Sequence, residues 1–259
     1  AAIRAAMIEN TFGLAGQRVV VEACLVGEEA SILVFCDGKT FKPLASSQDH
    51  KREFDQDQGR NTGGMGAYSP APIITDAMMD RINREILEPC LRGMEEEGMP
   101  YTGILYAGLM ITKEGPKVIE FNVRFGDPET QPILMRMKCD LLEVMEAVCD
   151  GRLSEVEIQW DPRPAVCVVM ASGGYPDAYE KGKKISGLDE AARMKDVMVF
   201  QAGTAYKDGH LVTAGGRALN VTAIGDTIAQ AKARAYEAVD QIHFDGAYYR
   251  RDIADKALR

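Results

Sequence analysis

The spacing of apolar and polar positions changes several times along the chain, and each change marks an element. "QRVVVEACLVGEEASILVFCDGKTFKPLA" predicts an antiparallel meander, with apolar strands at about 18–25 and 29–36, a turn at Asp37-Gly38 and a third strand beyond it. Residues 46–72, "SSQDHKREFDQDQGRNTGGMGAYSPAP", carry little periodicity and much charge and glycine, which predicts a long, functional or mobile loop. From Thr75 to Glu97 the period becomes helical, with Thr75 or Asp76 as N-cap and Gly98 as terminator. "TGILYAGLMITKEGPKVIEFN" predicts a hairpin turning near Lys113-Glu114-Gly115, and "CDLLEVMEAVCDG" an amphipathic helix. After "WDPRP" (160–164) the pattern starts afresh: a strand at 165–171, a Gly-Gly-Tyr-Pro turn, a hairpin around Lys207-Asp208-Gly209, a strand at 217–223 and a helix at 226–242. The expectation is an α/β (α+β) chain rich in antiparallel sheet, in two parts, 1–160 and 161–259.

Composition narrows the function classes. With 259 residues, 46% hydrophobic and 27% charged, the chain can bury one large core or two smaller ones, which argues against general disorder. A formal net charge of −9 and the lack of a basic stripe argue against nucleic-acid partners, though a local pocket for one phosphate is compatible with them. Six cysteines without a Cys-x-x-Cys pair, and three histidines, suggest neither a zinc site nor a disulfide framework, so reduced thiols and a cytoplasmic setting are the simplest reading. No apolar run approaches a membrane span, and "AAIRAAMIENTFG" lacks the core of a signal peptide. Its abrupt helical opening without a methionine is read as that of a fragment.

Four stretches could carry chemistry. In "KVIEFNVRFGDPETQ" (117–131), Glu120, Asn122 and Arg124 are spaced by two, so an extended chain sets them on one face and Lys117, Ile119 and Phe121 on the other. The bland alternative is a solvated outer face. The Gly-Asp-Pro turn that follows, with Asp127 and Glu129, weakens it by concentrating oxygen donors, which hard divalent cations prefer, around an arginine able to hold a phosphoryl group or an oxyanion. In "VVVEACLVGEEAS", Glu22 ends an apolar stretch and Glu28-Glu29 open the next, positions more often simply solvated. "NTGGMGAYSP" places three glycines between Asn61 and Gly66, letting backbone N–H groups approach an anion, though without the spacing of a P-loop or a dinucleotide fingerprint. The preceding "SQDHKR" (Asp49, His50, Lys51, Arg52) reads as a solvated charge run, and "TAGGRALNV" sets Arg217 at a strand start, where a bulge with an exposed arginine is the ordinary reading.

Taken jointly, "SQDHKR", "NTGGMGAYSPAP", "YTGILYAGLMIT", "KVIEFN" and "RFGDPETQ" resemble the phosphoribosylamine–glycine ligase family (glycinamide ribonucleotide synthetases) of purine biosynthesis, over essentially the whole chain. The resemblance implies an ATP-grasp fold with antiparallel sheets over residues 1–160, entered part-way through its ATP-clamping subdomain and so incomplete at its N-terminus. It further implies the family's small C-terminal α/β domain, of the rudiment single hybrid motif type, over 161–259. The implied reaction joins 5-phosphoribosylamine to glycine and converts ATP to ADP and phosphate through glycyl phosphate, with ATP and Mg²⁺ or Mn²⁺ as cofactors. Carboxylates are poor electrophiles at neutral pH, so phosphorylation supplies a leaving group before the amine attacks.

By the same resemblance, Glu22, Ala23 and Leu25 belong to the hinge at the adenine edge and Glu29 holds ribose hydroxyls. Glu120 and Asn122 are the metal ligands, and Arg124 is the catalytic arginine. Asn61, Gly63, Gly64, Met65, Gly66, Asp127, Pro128 and Glu129 shape the pocket for glycine and phosphoribosylamine, and Arg217 contacts the ribose phosphate. Two departures from the family pattern stand out. The first half of the ATP clamp is not in the sequence, which predicts weak ATP binding and no turnover unless another chain supplies it. The strand before Glu120, "GILYAGLMIT", carries no second carboxylate for the metal. The alternatives are a non-catalytic remnant that binds a partner chain, and another ATP-grasp ligase such as an aminoimidazole ribonucleotide carboxylase subunit.

Overall fold

The structure, a computed structural model, describes residues 2–259. A short helix α1 (Ala2–Met7) and a 3-10 turn (Gly13–Gln17) precede β1 (Glu28–Asp37), which turns at Gly38 into β2 (Phe41–Pro43). Four short strands follow: β3 (Gln48–Asp49), β4 (Arg52–Phe54), β5 (Gln58–Asn61) and β6 (Gly66–Ser69). Helices α2 (Asp76–Ile82) and α3 (Glu88–Glu96) are joined by a π turn at Asn83–Leu87. The hairpin of β7 (Thr102–Thr112) and β8 (Gly115–Asn122) leads to α4 (Thr130–Met135) and α5 (Leu141–Cys149). The C-terminal part consists of β9 (Ala165–Ser172), α6 (Leu188–Ala192), β10 (Val197–Gln201), β11 (Thr204–Lys207), β12 (His210–Thr213), β13 (Arg217–Ile224), α7 (Ile228–Val239) and β14 (Ala247–Tyr248).

Two antiparallel sheets organise the molecule. The first runs β2-β1-β7-β8. Its central strand is apolar on both faces because both are covered: Ala30, Ile32, Val34 and Cys36 meet Ile82 and Leu87 of the α2–α3 layer, while Leu33 and Phe35 meet Ile133 of α4 and Val144 and Val148 of α5. Thr75 caps α2 through its Oγ1, which accepts from Met78 N at 3.2 Å. The π turn lies directly before Pro89, whose ring cannot donate the i→i−4 bond and crowds the preceding turn. The second sheet runs β10-β13-β9-β6-β3, with β14 on the same edge of β9 beyond the end of β6. Here α7 packs small residues, Ala231, Ala235 and Ala238, against the sheet.

Two expectations need correction. Residues 18–27 form no strand, and Val20 and Val21 are 85% and 78% exposed. An extended segment needs an edge to satisfy its N–H and C=O groups, and among the described residues none pairs with it. The supposed loop 46–72 holds four strands, of which β6 pairs with β9 from Gly66↔Val168 to Ser69↔Ala165. Residues before and after position 160 therefore share one sheet.

Candidate active site

The register of the first sheet assembles a polar face. Glu29 lies opposite Met110, Ser31 opposite Gly108, and Tyr106 opposite Asn122, so these side chains share one side. A bulge lies in β8, where Gly108 pairs with Glu120 but Leu109 with Val118, leaving Ile119 as the extra residue. Strict alternation would turn Lys117 away from Glu120. The bulge instead brings Lys117, opposite Met110, onto the same face as Glu120 and Asn122. Gly108 leaves room there for its neighbours, since a Cβ would stand 3.1 Å from Glu120 Cγ and 3.3 Å from the Tyr106 ring.

Three recesses lie along this face. One of about 440 Å³ is lined by Glu22, Ala23, Leu25, Glu29, Met110 and Lys117. It shares Glu29 and Met110 with a second of about 520 Å³, which also takes in Lys51, Asp49 and Asn61. That one shares Asp49, Lys51 and Asn61 with a third of about 270 Å³, lined by Glu120, Asn122, Arg124, Asp127, Glu129, Tyr106 and Gly63. The three therefore form one trough. A separate cavity of about 300 Å³, between the β1–β2 turn and α3, contains none of the expected site residues.

Lys51 ties the trough together. Its Nζ lies 3.0 Å from Glu29 Oε2 and 3.8 Å from Glu120 Oε1. Burial works against its charge, but Glu29, then Glu120 and Asp49, more than offset this and hold the ammonium above its ordinary range. Glu129 is 3% exposed, and its Oε1 accepts from Tyr106 Oη at 2.8 Å and Ser31 Oγ at 3.0 Å. Asp49 stands close enough that burial and the Glu129 charge push its carboxyl well up, against the pull of Lys51 and Arg217. Arg124 donates to Phe125 O at 2.8 Å and otherwise makes no hydrogen bond among the described residues.

The glycine-rich segment and the Gly-Asp-Pro turn are held by the C-terminal sheet. Arg217, at the start of β13, donates from Nη1 to Gly63 O and Asp127 O, both at 2.6 Å, and its Nη2 lies 3.1 Å from Asp127 Oδ2. Asn220 donates to Asp127 Oδ1 at 2.9 Å. In this arrangement the guanidinium is engaged by two carbonyls and a carboxylate, so Arg217 acts as a strut between β13 and the two loops. Gly64 has φ +107, and a Cβ there would meet Pro128 Cδ at 2.4 Å and Asp49 Oδ1 at 2.7 Å.

The structure thus brings together Glu22, Ala23, Leu25 and Glu29 in one recess, and Asn61, Gly63, Glu120, Asn122, Arg124, Asp127 and Glu129 in another. Gly64 and Pro128 pack behind the wall. Met65 and Gly66 lie deeper: Met65 is 0% exposed in the interior, and Gly66 sits against Cys167 O and Ile253. His50 faces inward as well, stacked edge-on against Tyr68, with Nε2 accepting from Ala254 N at 3.3 Å. The sequence reading missed Lys51, Asp49, Lys117, Met110 and Tyr106. Lys51 and Asp49 lay in a charge run taken as solvated, and only strand pairing shows the others to face the trough.

Comparison with known proteins follows the same lines. The family profile described as phosphoribosylglycinamide synthetase, ATP-grasp (A) domain, matches residues 1–130, and the one described as phosphoribosylglycinamide synthetase, C domain, matches residues 165–256. The phosphoribosylamine–glycine ligase of Vibrio vulnificus is 54% identical over 258 residues, 99% of this chain and 60% of that protein. That of Pseudomonas aeruginosa is 55% identical over 259 residues, 100% of this chain and 60% of that protein. The chain thus spans about 60% of the length of these relatives. The crystal structure of phosphoribosylamine–glycine ligase from Thermotoga maritima superposes with a TM-score of 0.80 at 39% identity, covering 90% of this chain and 57% of that one. The N5-carboxyaminoimidazole ribonucleotide synthetase of the same organism gives a TM-score of 0.57 at 15% identity, covering 88% and 56%, a likeness of fold alone.

Proposed function

The chain belongs to the phosphoribosylglycinamide synthetase family, with an ATP-grasp fold built on antiparallel sheets, and on that premise we propose that it forms the larger share of the active site of an ADP-forming ligase that joins 5-phosphoribosylamine to glycine. The observation that carries the proposal is the single trough linking Glu22, Ala23, Leu25 and Glu29 to Glu120, Asn122 and Arg124. A nucleotide laid along it has an apolar recess for its base beside Leu25 and Met110, a carboxylate at Glu29 for ribose hydroxyls, and Lys51 and Arg124 for its phosphates.

Glu120 and Asn122 fit a Mg²⁺ or Mn²⁺ ion, offering hard oxygen donors two residues apart on one cavity wall. Among the described residues no group of three or more His, Cys, Asp or Glu could hold a metal, so the remaining ligands would be phosphate oxygens and water. Such an ion, when bound, neutralises phosphate charge and aligns the transferring group. Arg124 stabilises the charge spread over that group, and the wall formed by Asp127 and Glu129 orients the acceptor. A cytoplasmic setting accords with six unpaired cysteines, and no helix of the described residues is long and apolar enough to cross a membrane.

Calorimetric titration with ATP and Mg²⁺ tests the proposal. Submillimolar binding that Glu120→Gln weakens about tenfold or more is the expected result, since a hydrogen bond or ligand contact to a charged group is worth about 1.5–3 kcal/mol. An absence of any binding heat would favour the non-catalytic alternative.

A further inference from the structure

Lys51 stands between two carboxylates that the proposed reading gives to different parts of one ligand. Glu29 lies near the start of β1 opposite Met110, and Glu120 lies in β8 opposite Gly108, so β7 runs between the two acids. Level with Glu120, Gly108 adds no side chain to the space between them. The Lys51 ammonium spans that space, 3.0 Å from Glu29 Oε2 and 3.8 Å from Glu120 Oε1. As a support for the fold this bridge is poor. The side chains of Lys51, Glu29 and Glu120 are 23%, 41% and 50% exposed, and ion pairs so open to solvent contribute little to stability. What the bridge does do is occupy three groups at once: the carboxylate for ribose hydroxyls, a ligand for the metal, and a cation for phosphates.

We propose that Lys51 is a counter-ion built into the trough, which competes with the divalent cation for Glu120 and gives way to a cation that arrives with a nucleoside triphosphate. This rests on the reading that the trough serves an ATP-dependent ligase. A divalent cation by itself must draw Glu120 away from the ammonium and then stand beside that positive charge. It gains few ligands in return, since among the described residues no group of three or more His, Cys, Asp or Glu could hold a metal. A nucleoside by itself offers ribose hydroxyls to Glu29 but leaves the ammonium half-paired. The metal–triphosphate complex replaces every contact it breaks, with the cation at Glu120, the ribose at Glu29 and phosphate oxygens at Lys51. Through Lys51, metal and nucleotide thus raise each other's affinity for the chain beyond the affinity they have for one another in solution.

Mn²⁺ is the probe, its binding to the full chain followed by electron paramagnetic resonance with no nucleotide present. Lys51→Met, which keeps an unbranched stem and removes the charge, should bind Mn²⁺ about tenfold more tightly than the unaltered chain. The same variant should bind Mn²⁺–ATP about tenfold less tightly, because the phosphates lose a charge-assisted contact. A purely structural lysine would weaken both or neither. The gain for Mn²⁺ should disappear when Glu120→Gln is added, which ties it to this carboxylate. A Lys51→Met chain, folded by its thermal midpoint, that binds Mn²⁺ no better than the unaltered one overturns the inference, and so does a gain that survives Glu120→Gln. Should the methionine variant not fold, Lys51→Gln carries the same expectations. On the unaltered chain, Mn²⁺ bound without nucleotide more tightly than about 0.1 mM, and lost in Glu120→Gln, refutes the rivalry whatever the fate of the variants. If the unaltered chain does not bind Mn²⁺–ATP at all, the ligase reading itself fails. If it does, and removing the Lys51 charge leaves Mn²⁺ binding unchanged, only the role of Lys51 does.

Discussion

Arg250 is the largest fully buried side chain, and replacing it by methionine should cost the fold about 3 kcal/mol at pH 7. Its Nε and Nη2 pair with the two oxygens of Asp252 at 2.8 and 2.7 Å, and its Nη1 reaches Asp57 Oδ1 and Arg52 O, both at 3.1 Å. Breaking a buried pair by removing one partner costs about 3–5 kcal/mol, because the other charge is left unpaired. The lower figure applies here, since Asp252 and Asp57 are 20% and 38% exposed and Asp57 keeps Lys256 at 2.6 Å. For a chain of this length the midpoint of thermal unfolding should fall by roughly 6–12 °C. The pH dependence supplies a second check. Burial pushes the carboxyls of Asp57 and Asp252 up, but Arg250, with Lys256 at Asp57, outweighs it and holds both below 3.8. Groups with lowered folded values contribute stability that is present above their unfolded value and lost as the pH falls through the folded one. The deficit of the variant is therefore full at pH 7 and shrinks below about pH 4. Thermal and urea unfolding followed by circular dichroism at pH 7 and in acid would measure both. A loss under 1 kcal/mol, or a deficit that does not change with pH, would refute the reasoning.

Two further expectations concern the trough and its support. Gly64→Ala forces a Cβ to within 2.4 Å of Pro128 Cδ at a φ of +107, so it should destabilise the chain by about 2 kcal/mol or more, and an unchanged unfolding midpoint would contradict this. His50 is held neutral, its value pushed down from 6.5 to about 3, first by burial and then by Arg250 and Lys256. The unfolded chain therefore binds the proton that the folded one refuses, and stability present above pH 6.5 drains away as the pH falls towards 3. The loss should be about 1 kcal/mol between pH 6.5 and 5.5, and it should vanish in His50→Gln, so equal slopes for the two proteins in urea titrations would speak against a buried neutral imidazole.

Much of this architecture is legible from local rules. The hairpin of β7 and β8, the capped helix beginning at Asp76, and the strands at 165–172 and 217–224 follow from periodicity, turn glycines and a threonine cap. The two-residue spacing of Glu120 and Asn122 likewise survives as a shared face. What local rules miss depends on pairing at long range. The bulge at Ile119 cannot be seen in "KVIEFN", because it exists only as a mismatch with Gly108 and Leu109, yet it decides which way Lys117 points. Residues 18–25 have the apolar run of a strand, but strand formation also requires an edge, which no window of sequence reports. Short strands such as β3, two residues long, carry too little pattern to register at all.

The same dependence on distant pairing explains why a charge run lies in the middle of the trough. Asp49, His50 and Lys51 are consecutive, but β3 pairs with β6, and β6 with β9, so an element of the C-terminal sheet sets their directions. His50 turns into the core against Tyr68 while Asp49 and Lys51 line the trough. From the other end of that sheet, Arg217 and Asn220 grip Gly63 and Asp127. The 270 Å³ cavity is therefore shaped from several elements: β8 supplies Glu120 and Asn122, β3 and the residues just after it Asp49 and Lys51, the turn before α4 Glu129, and β13 the struts that fix the loops between them. A division of the chain near residue 160 describes its order along the sequence. The trough draws on both sides of it, because Arg217 and Asn220 of β13 and Tyr175 beyond β9 hold Gly63 and Asp127 in place.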